Sequence, residues 1–545
     1  MTGRRSTGLA LALFLAWLVV YPIALVVLGS VRSDDGWTLR YLAAFLSDGH
    51  EWGALWNSVW LSVASVLVAG AIGIPLAFVF ERLDFPGRRT LGALVALPAV
   101  LPPLVGVIAF LFLYGETGFV GRIVGSLRGT GEAPWRLHGW GAILLVHAYS
   151  MYVYFYLFTR AGLAKVDGSM IEAAHSLGHG ARSTLVRVTL PLLRPQIGAA
   201  ALLTLMTALG SFSAPYIFGG GFRVMTTQIV TSKLNGDLEM STVETVALAA
   251  IAFSGLLLFR RTQGTRSVAA IGKGTPPAAR PLQQPLARWS AAAVGWAFAI
   301  LLLLPHATLV LVSFIPVGTW TTQLLPPVYT VANYATLAVE PERLRPLLNS
   351  VWMATVATAG ALAVALWAGR QVVQRRVLLR RQIEALTTLP WAVPGTVLAI
   401  ALATAFSVRA PWFGRWVLVG TVAILPLAYL VRNIPVVAGS VLAGFRQLDP
   451  SLDEAAASLG ANRLRTVRRI TVPLLRPAIL AGGALAFATA LGDFVTSAVL
   501  YTFDTRPISI EILSALREFD IGIAAAYGVV LMLISAVAMA VGTAR

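Results

Sequence analysis

The 545-residue sequence contains no cysteine. That absence excludes disulfides, thiolate metal sites and cysteine nucleophiles, and says little about compartment. Charge is scarce as well: 12% of the residues are Asp, Glu, Lys or Arg, where soluble domains carry about 25%. With 57% hydrophobic residues and a mean hydropathy of +0.76, the composition is that of a membrane protein. No G-x-x-x-x-G-K-[ST] phosphate loop occurs, since "IGKG" at 271–274 lacks both the first glycine and the hydroxyl residue. No nucleophile–base constellation is present either, so no catalytic residue, metal site or cofactor is expected on this chain.

What is present is apolar and repetitive. Runs long enough to span a bilayer, roughly 20 residues, lie near 9–30, 55–80, 91–113, 138–159, 195–216 and 243–259. Six more lie near 289–314, 347–369, 386–407, 416–439, 477–500 and 521–543. The first run is too long for the core of a signal peptide and lacks a small-residue cleavage site, so it reads as a retained helix.

The net charge of +18 would suit a nucleic-acid binder, but its distribution does not. Twelve spans with the N-terminus inside put 29 of the 42 Lys and Arg on one side. That asymmetry marks the cytoplasmic face of a membrane protein, and no nucleic-acid partner is expected.

The two sets of six are copies. "EAAHSLGHGARSTLVRVTLPLLRP" at 172–195 aligns without a gap to "EAAASLGANRLRTVRRITVPLLRP" at 454–477, with 14 of 24 positions identical. "NSVW" at 57–60 returns at 349–352, and "LGSF" at 209–212 meets "LGDF" at 491–494. The spacing reads as 292 before the loop and 282 within and after it. The expected fold is therefore all-α and transmembrane, with twelve helices as two parallel six-helix repeats. The first half covers 1–259, a cytoplasmic linker 260–288, and the second half 289–545.

Each repeated loop opens with Ser-x-x-Glu, Ser169 to Glu172 and Ser451 to Glu454. That pattern predicts a capping box at the start of a helix of about two turns. Gly178 and Gly460 then fall where a helix ends in a positive-φ residue. Glu172, His175 and His179 have the spacing of a zinc site, but Ala457 and Ala461 replace both histidines in the second copy, so no metal is expected there.

This pattern, "EAA---G---------LPLLRP" in both copies, resembles the EAA loop of the membrane subunits of binding-protein-dependent (type I) bacterial ABC importers. The resemblance covers nearly the whole chain. It implies that each loop is a cytoplasmic coupling helix gripping a separate ATPase subunit, with the coupling positions on Ser169, Glu172, Ala173, Ala174 and Gly178, and on Ser451, Glu454, Ala455, Ala456 and Gly460. His179 departs from the Gly-Ala pair usual after the helix. The implied partners are two copies of a cytoplasmic ATP-binding subunit holding ATP and Mg, one periplasmic or lipid-anchored substrate-binding protein, and membrane lipid. The implied location is the bacterial inner membrane, with the N-terminus and both loops cytoplasmic.

Asp493 reads as the only acidic residue deep in a span, where a carboxylate costs about 2.5–3.5 kcal/mol. Its counterpart is Ser211. Either Asp493 is a structural carboxylate between helices, or it lines the translocation pathway with Ser211, Phe212 and Phe494 and favours a cationic cargo. The fused layout resembles the ferric-iron and thiamine permeases, and 491–528 the ferric-iron branch, so ferric iron is the expected cargo. Thiamine, aminoethylphosphonate and polyamine are the alternatives within the class. The rival class is a secondary transporter with two parallel six-helix halves, which would leave the near-identical loops without a reason.

Overall fold

The computed structural model describes residues 2–543 except 34–35, 264–278, 321–322, 375–376, 378, 408–416 and 450. Most of the expected linker, Pro450 and Arg545 thus lie outside the described residues. The chain is mostly helical, as apolar segments must be where only internal hydrogen bonds can satisfy the backbone. Among the described residues strand pairing is confined to two-residue ladders, Arg32–Ser33 with Gly36–Trp37 and Leu83–Asp84 with Arg280–Pro281. Among the described residues ten helices are long and apolar enough to cross a membrane, and twelve if two bent pairs each count as one span.

The bends have a common cause. Arg380–Ala392 and Gly395–Ala405 meet at 110° across "LPWAVPG". Proline removes backbone donors there and drives the preceding residue out of the helical region. The first half has the same break: Leu97–Val100 and Leu389–Ala392 are both short 3₁₀ turns. The second bent pair, Leu464–Leu474 with Arg476–Leu491 at 73°, follows the repeated loop. Both loops also feed a π-helical turn, Leu185–Thr189 and Val467–Thr471, just before a proline.

The helices form two compact units that do not follow chain order. One comprises Met1–Glu51, Gln228–Ala249 and Val310–Arg545. In it, Pro341–Gly369 packs along Ile424–Gln447 and Arg476–Leu491, and Tyr21–Gly29 of the first span lies against Gly395–Ala405. Trp17 meets Phe406 edge-on at 5.7 Å. Close approach of backbones in an apolar medium requires small residues. At Gly369 an added Cβ would lie 2.2 Å from the Phe445 ring, so a side chain there forces the two helices apart.

The other unit comprises Trp52–Thr227 and Ala250–Leu309. Its core gathers Phe80, Phe85, Leu91, Tyr152, Phe155 and Tyr156 with Ala299 and Leu302 of the seventh span. The Tyr152 and Tyr156 hydroxyls donate to the Val95 and Gly92 carbonyls, 2.5 and 3.0 Å away. Those carbonyls lie where the helix Arg88–Leu94 ends, so the buried hydroxyls and the orphaned acceptors satisfy each other.

The repeated "NSVW" has a shared task in both halves. The Asn57 amide donates to the Arg223 carbonyl at 2.9 Å, and Ser58 Oγ accepts from Met225 N at 2.8 Å. Asn349 likewise donates to the Asp504 and Arg506 carbonyls, and Ser350 Oγ accepts from Ile508 N at 2.8 Å. These pairs correct the register. The spacing of 282 holds through Ser211 and Asp493, but Met225 and Ile508 are 283 apart, because the second half carries one extra residue just beyond the break.

Candidate functional site

The two repeated loops fold alike in detail. The short helices are Gly168–Ser176 and Ser451–Ser458. Their caps differ from the expected Ser-x-x-Glu boxes. Asp167 caps the first, its carboxylate accepting from Ser169 N at 3.0 Å, and Asp449 accepts from Ser451 N at 2.9 Å. This bond to the ionised form holds the Asp449 carboxyl below the usual carboxylate range. Both residue types are good caps, and the aspartates, two residues upstream, take the position. Ser169 and Ser451 are then inside the first turn, and Glu172 and Glu454 are too far along to reach back. Both glutamates face outward, exposed.

The helix ends are as expected. Gly178 has φ +81° and Gly460 φ +74°. His179 N donates to Ala174 O at 3.0 Å and Gly178 N to His175 O at 2.9 Å, and Ala461 and Gly460 do the same to Ala456 and Ala457 at 3.0 Å each. These are paired Schellman closures. Ala174 and Ala456 are buried while Ala173 and Ala455 are exposed, so only one alanine of each pair packs inward. Each closure leaves one leucine bare, Leu177 at 80% and Leu459 at 88% exposure. In the sequence these two leucines are marked only by their identity in the repeat.

The helix breaks after the fifth and eleventh spans bring together a different set. Asp493 is buried, and its Oδ2 lies 2.7 Å from Arg432 Nη1. Thr496 adds its backbone N–H at 2.9 Å and its hydroxyl at 3.1 Å. Of the two readings of Asp493, the structure supplies the interhelical partner that the structural one requires, an arginine within the run 416–439. Asp493 is not the only buried acid. Glu244 is fully buried in the span Leu238–Leu258 and accepts from Ser232 Oγ at 2.6 Å.

In the first half the equivalent position is neutral. Ser65 Oγ donates to Leu61 O at 2.7 Å, and the His147 ring bridges two hydroxyls, with Nδ1 2.8 Å from Ser65 Oγ and Nε2 2.9 Å from Ser211 Oγ. Phe212 and Phe494 beside these residues are both buried. The structure brings Ser211 together with Phe212, and Asp493 with Phe494, each pair at its own helix break.

The chain matches the family described as the binding-protein-dependent transport system inner membrane component twice, over residues 69–264 and 361–544. It is 32% identical to a probable ABC transporter permease protein of Sinorhizobium fredii, over 90% of this chain and 86% of that protein. A ferric transport system permease protein of Actinobacillus pleuropneumoniae is 26% identical, over 96% of this chain and 76% of that protein. The thiamine transport system permease protein of Escherichia coli is 27% identical, over 87% and 84%. With the family's pattern matched in both halves, the chain belongs to the inner-membrane permease subunits of binding-protein-dependent ABC importers.

Proposed function

We propose that this permease forms the whole translocation pathway of an importer, and that its two short helices couple the pathway to two copies of a cytoplasmic ATP-binding subunit. The observation that carries this reading is the pair of identically closed helices, Gly168–Ser176 and Ser451–Ser458. Each presents an exposed glutamate, an exposed alanine and a bare leucine at a sharp turn. An apolar side chain that exposed, on a rigid corner, suits a pocket on a partner. ATP and Mg belong to those partners, and the basic loops face the cytoplasm with them.

The cargo we propose is ferric iron, delivered by one periplasmic or lipid-anchored binding protein. Support comes from the fused ferric permease relative, matched along nearly all of this chain. Asp493 lends no support, because its charge is balanced by Arg432. The thiamine permease relative has the same fused extent and supplies the second reading.

The test is uptake by proteoliposomes holding the permease, its ATPase and its binding protein. Ferric iron should accumulate in an ATP-dependent manner, and unlabelled thiamine should not compete. ATP-driven thiamine uptake without iron uptake would reject the iron assignment and leave the permease role intact.

A further inference from the structure

Phe519 stands where its repeat has glycine. The helix Ile508–Arg517 closes with Phe519 N donating to Leu516 O and Asp520 N to Ala515 O. In the first half Met225–Leu234 closes identically, Gly236 N to Lys233 O and Asp237 N to Ser232 O. In each half the following aspartate then caps the next helix, Asp237 accepting from Met240 N and Asp520 from Ile523 N. Gly236 has φ +84° and Phe519 φ +60°. Among the described residues Phe519 is the only non-glycine with positive φ. A bulky residue in this region is a backbone outlier, and such strain persists where the surroundings and the side chain's use hold it. The Phe519 ring is not used inside the fold, being 85% exposed.

Phe519 adjoins an ion-pair network along the chain. Its neighbour Glu518 lies 3.6 Å from Arg343, which pairs with the buried Glu511 at 3.0 Å. Glu511 also holds Arg506 at 3.0 Å, and Arg506 sits over the ring of Phe503, itself 76% exposed. Two bare phenylalanines thus flank one ion-pair network, Phe503 under Arg506 and Phe519 next in the chain to Glu518, and aromatic rings with arginine are typical of protein-binding hot spots. The flanking Asp504 and Arg345 are more than half exposed, which marks a water-facing turn. Rings that anchor a protein in lipid headgroups are typically Trp and Tyr, which carry a polar tip.

The network also lies far from the short helix Ser451–Ser458. Arg343 is at the start of Pro341–Gly369, while Gly369 packs on Phe445, close in sequence to the short helix. Twenty-nine helical residues separate those ends by roughly 44 Å, a bilayer's full thickness.

We infer that Phe519 and Phe503, set on the Arg343–Glu511–Arg506 network, dock the cargo-loaded substrate-binding protein on the external face of the permease. The side assignment rests on the proposed cytoplasmic docking of the short helices.

The test uses the permease–ATPase complex in proteoliposomes, with the purified cargo-loaded binding protein that drives its uptake as the probe. Phe519→Gly relieves the strained backbone and removes the ring. It should leave complex assembly, basal ATP hydrolysis and thermal stability at or above wild type. The binding-protein concentration giving half-maximal stimulation of ATP hydrolysis should rise by about tenfold or more. Phe519→Ala keeps the strain and should show the same rise. An unchanged half-maximal concentration in both variants overturns the inference. So does a loss of stability or membrane yield without that rise, which would make the ring a lipid anchor. If the wild-type chain fails to assemble with the ATPase, the reading of the short helices fails instead.

Discussion

At the scale of single residues, the pair Arg432–Asp493 decides most. The carboxylate is almost wholly buried, whereas the guanidinium keeps 36% of its side-chain surface accessible. Asp493→Asn retains an acceptor for Thr496 N but leaves the arginine unpaired. Breaking a buried pair from one side costs about 3–5 kcal/mol, and the partly accessible arginine puts this pair near the lower end. The expected result is a clear drop in thermal stability in detergent. Arg432→Gln combined with Asp493→Asn should recover much of it, with transport tracking the folded fraction throughout. Transport lost from Asp493→Asn at wild-type stability would instead place the carboxylate on the cargo's path.

Asp493 itself was legible in the sequence, because a charge in an apolar run is costly wherever it pairs. Its partner was not. Arg432 lies 61 positions upstream on another helix, and periodicity along a chain says nothing about which helices become neighbours. The caps were misread for a local reason: serine and aspartate both suit the position, and only the backbone path selects Asp167 and Asp449.

Among the elements, the short helices put the most weight on their final glycines. Nothing lies within 4 Å of where a Cβ would sit on Gly178 or Gly460, so only the backbone conformation opposes substitution. Gly178→Val or Gly460→Val should cost about 1–2 kcal/mol locally and open the Schellman closure. Faster amide hydrogen exchange at His179 or Ala461 would report it, with weaker co-purification of the ATPase and unchanged membrane insertion. Protection equal to wild type in both variants would show that the closure is not the element's weak point. These helices were legible because turn chemistry is local, and their duplication removed chance as an explanation. The one-residue insertion after the break escaped notice because few identities survive there to mark the register.

For the molecule as a whole, the proposed coupling through two loops on one chain predicts the assembly. Native mass measurement of the purified importer should give one permease, two ATPase subunits and one binding protein. Two permease chains per two ATPase subunits would contradict the proposed coupling. Hydropathy and the internal repeat made the membrane class and the duplicated halves visible. They carried no trace of the compact units, in which the first span joins the second half's helices and the seventh span joins the first half's.

That exchange has a consequence for biosynthesis. The first span is made long before its packing surface Gly395–Ala405, which follows more than 360 positions later. At about 5–20 residues per second, the wait is roughly 20–70 s. During it the nascent helix lacks that surface, and Thr242 of the sixth span, which lies beside Gly29, is made about 150 positions sooner. A span built from "GLALALFLAWLVVYPIALVVLG" endures this because it carries no charge to be stranded. Its plain, uniformly apolar sequence suits a helix that must remain in the membrane until most of its unit is made.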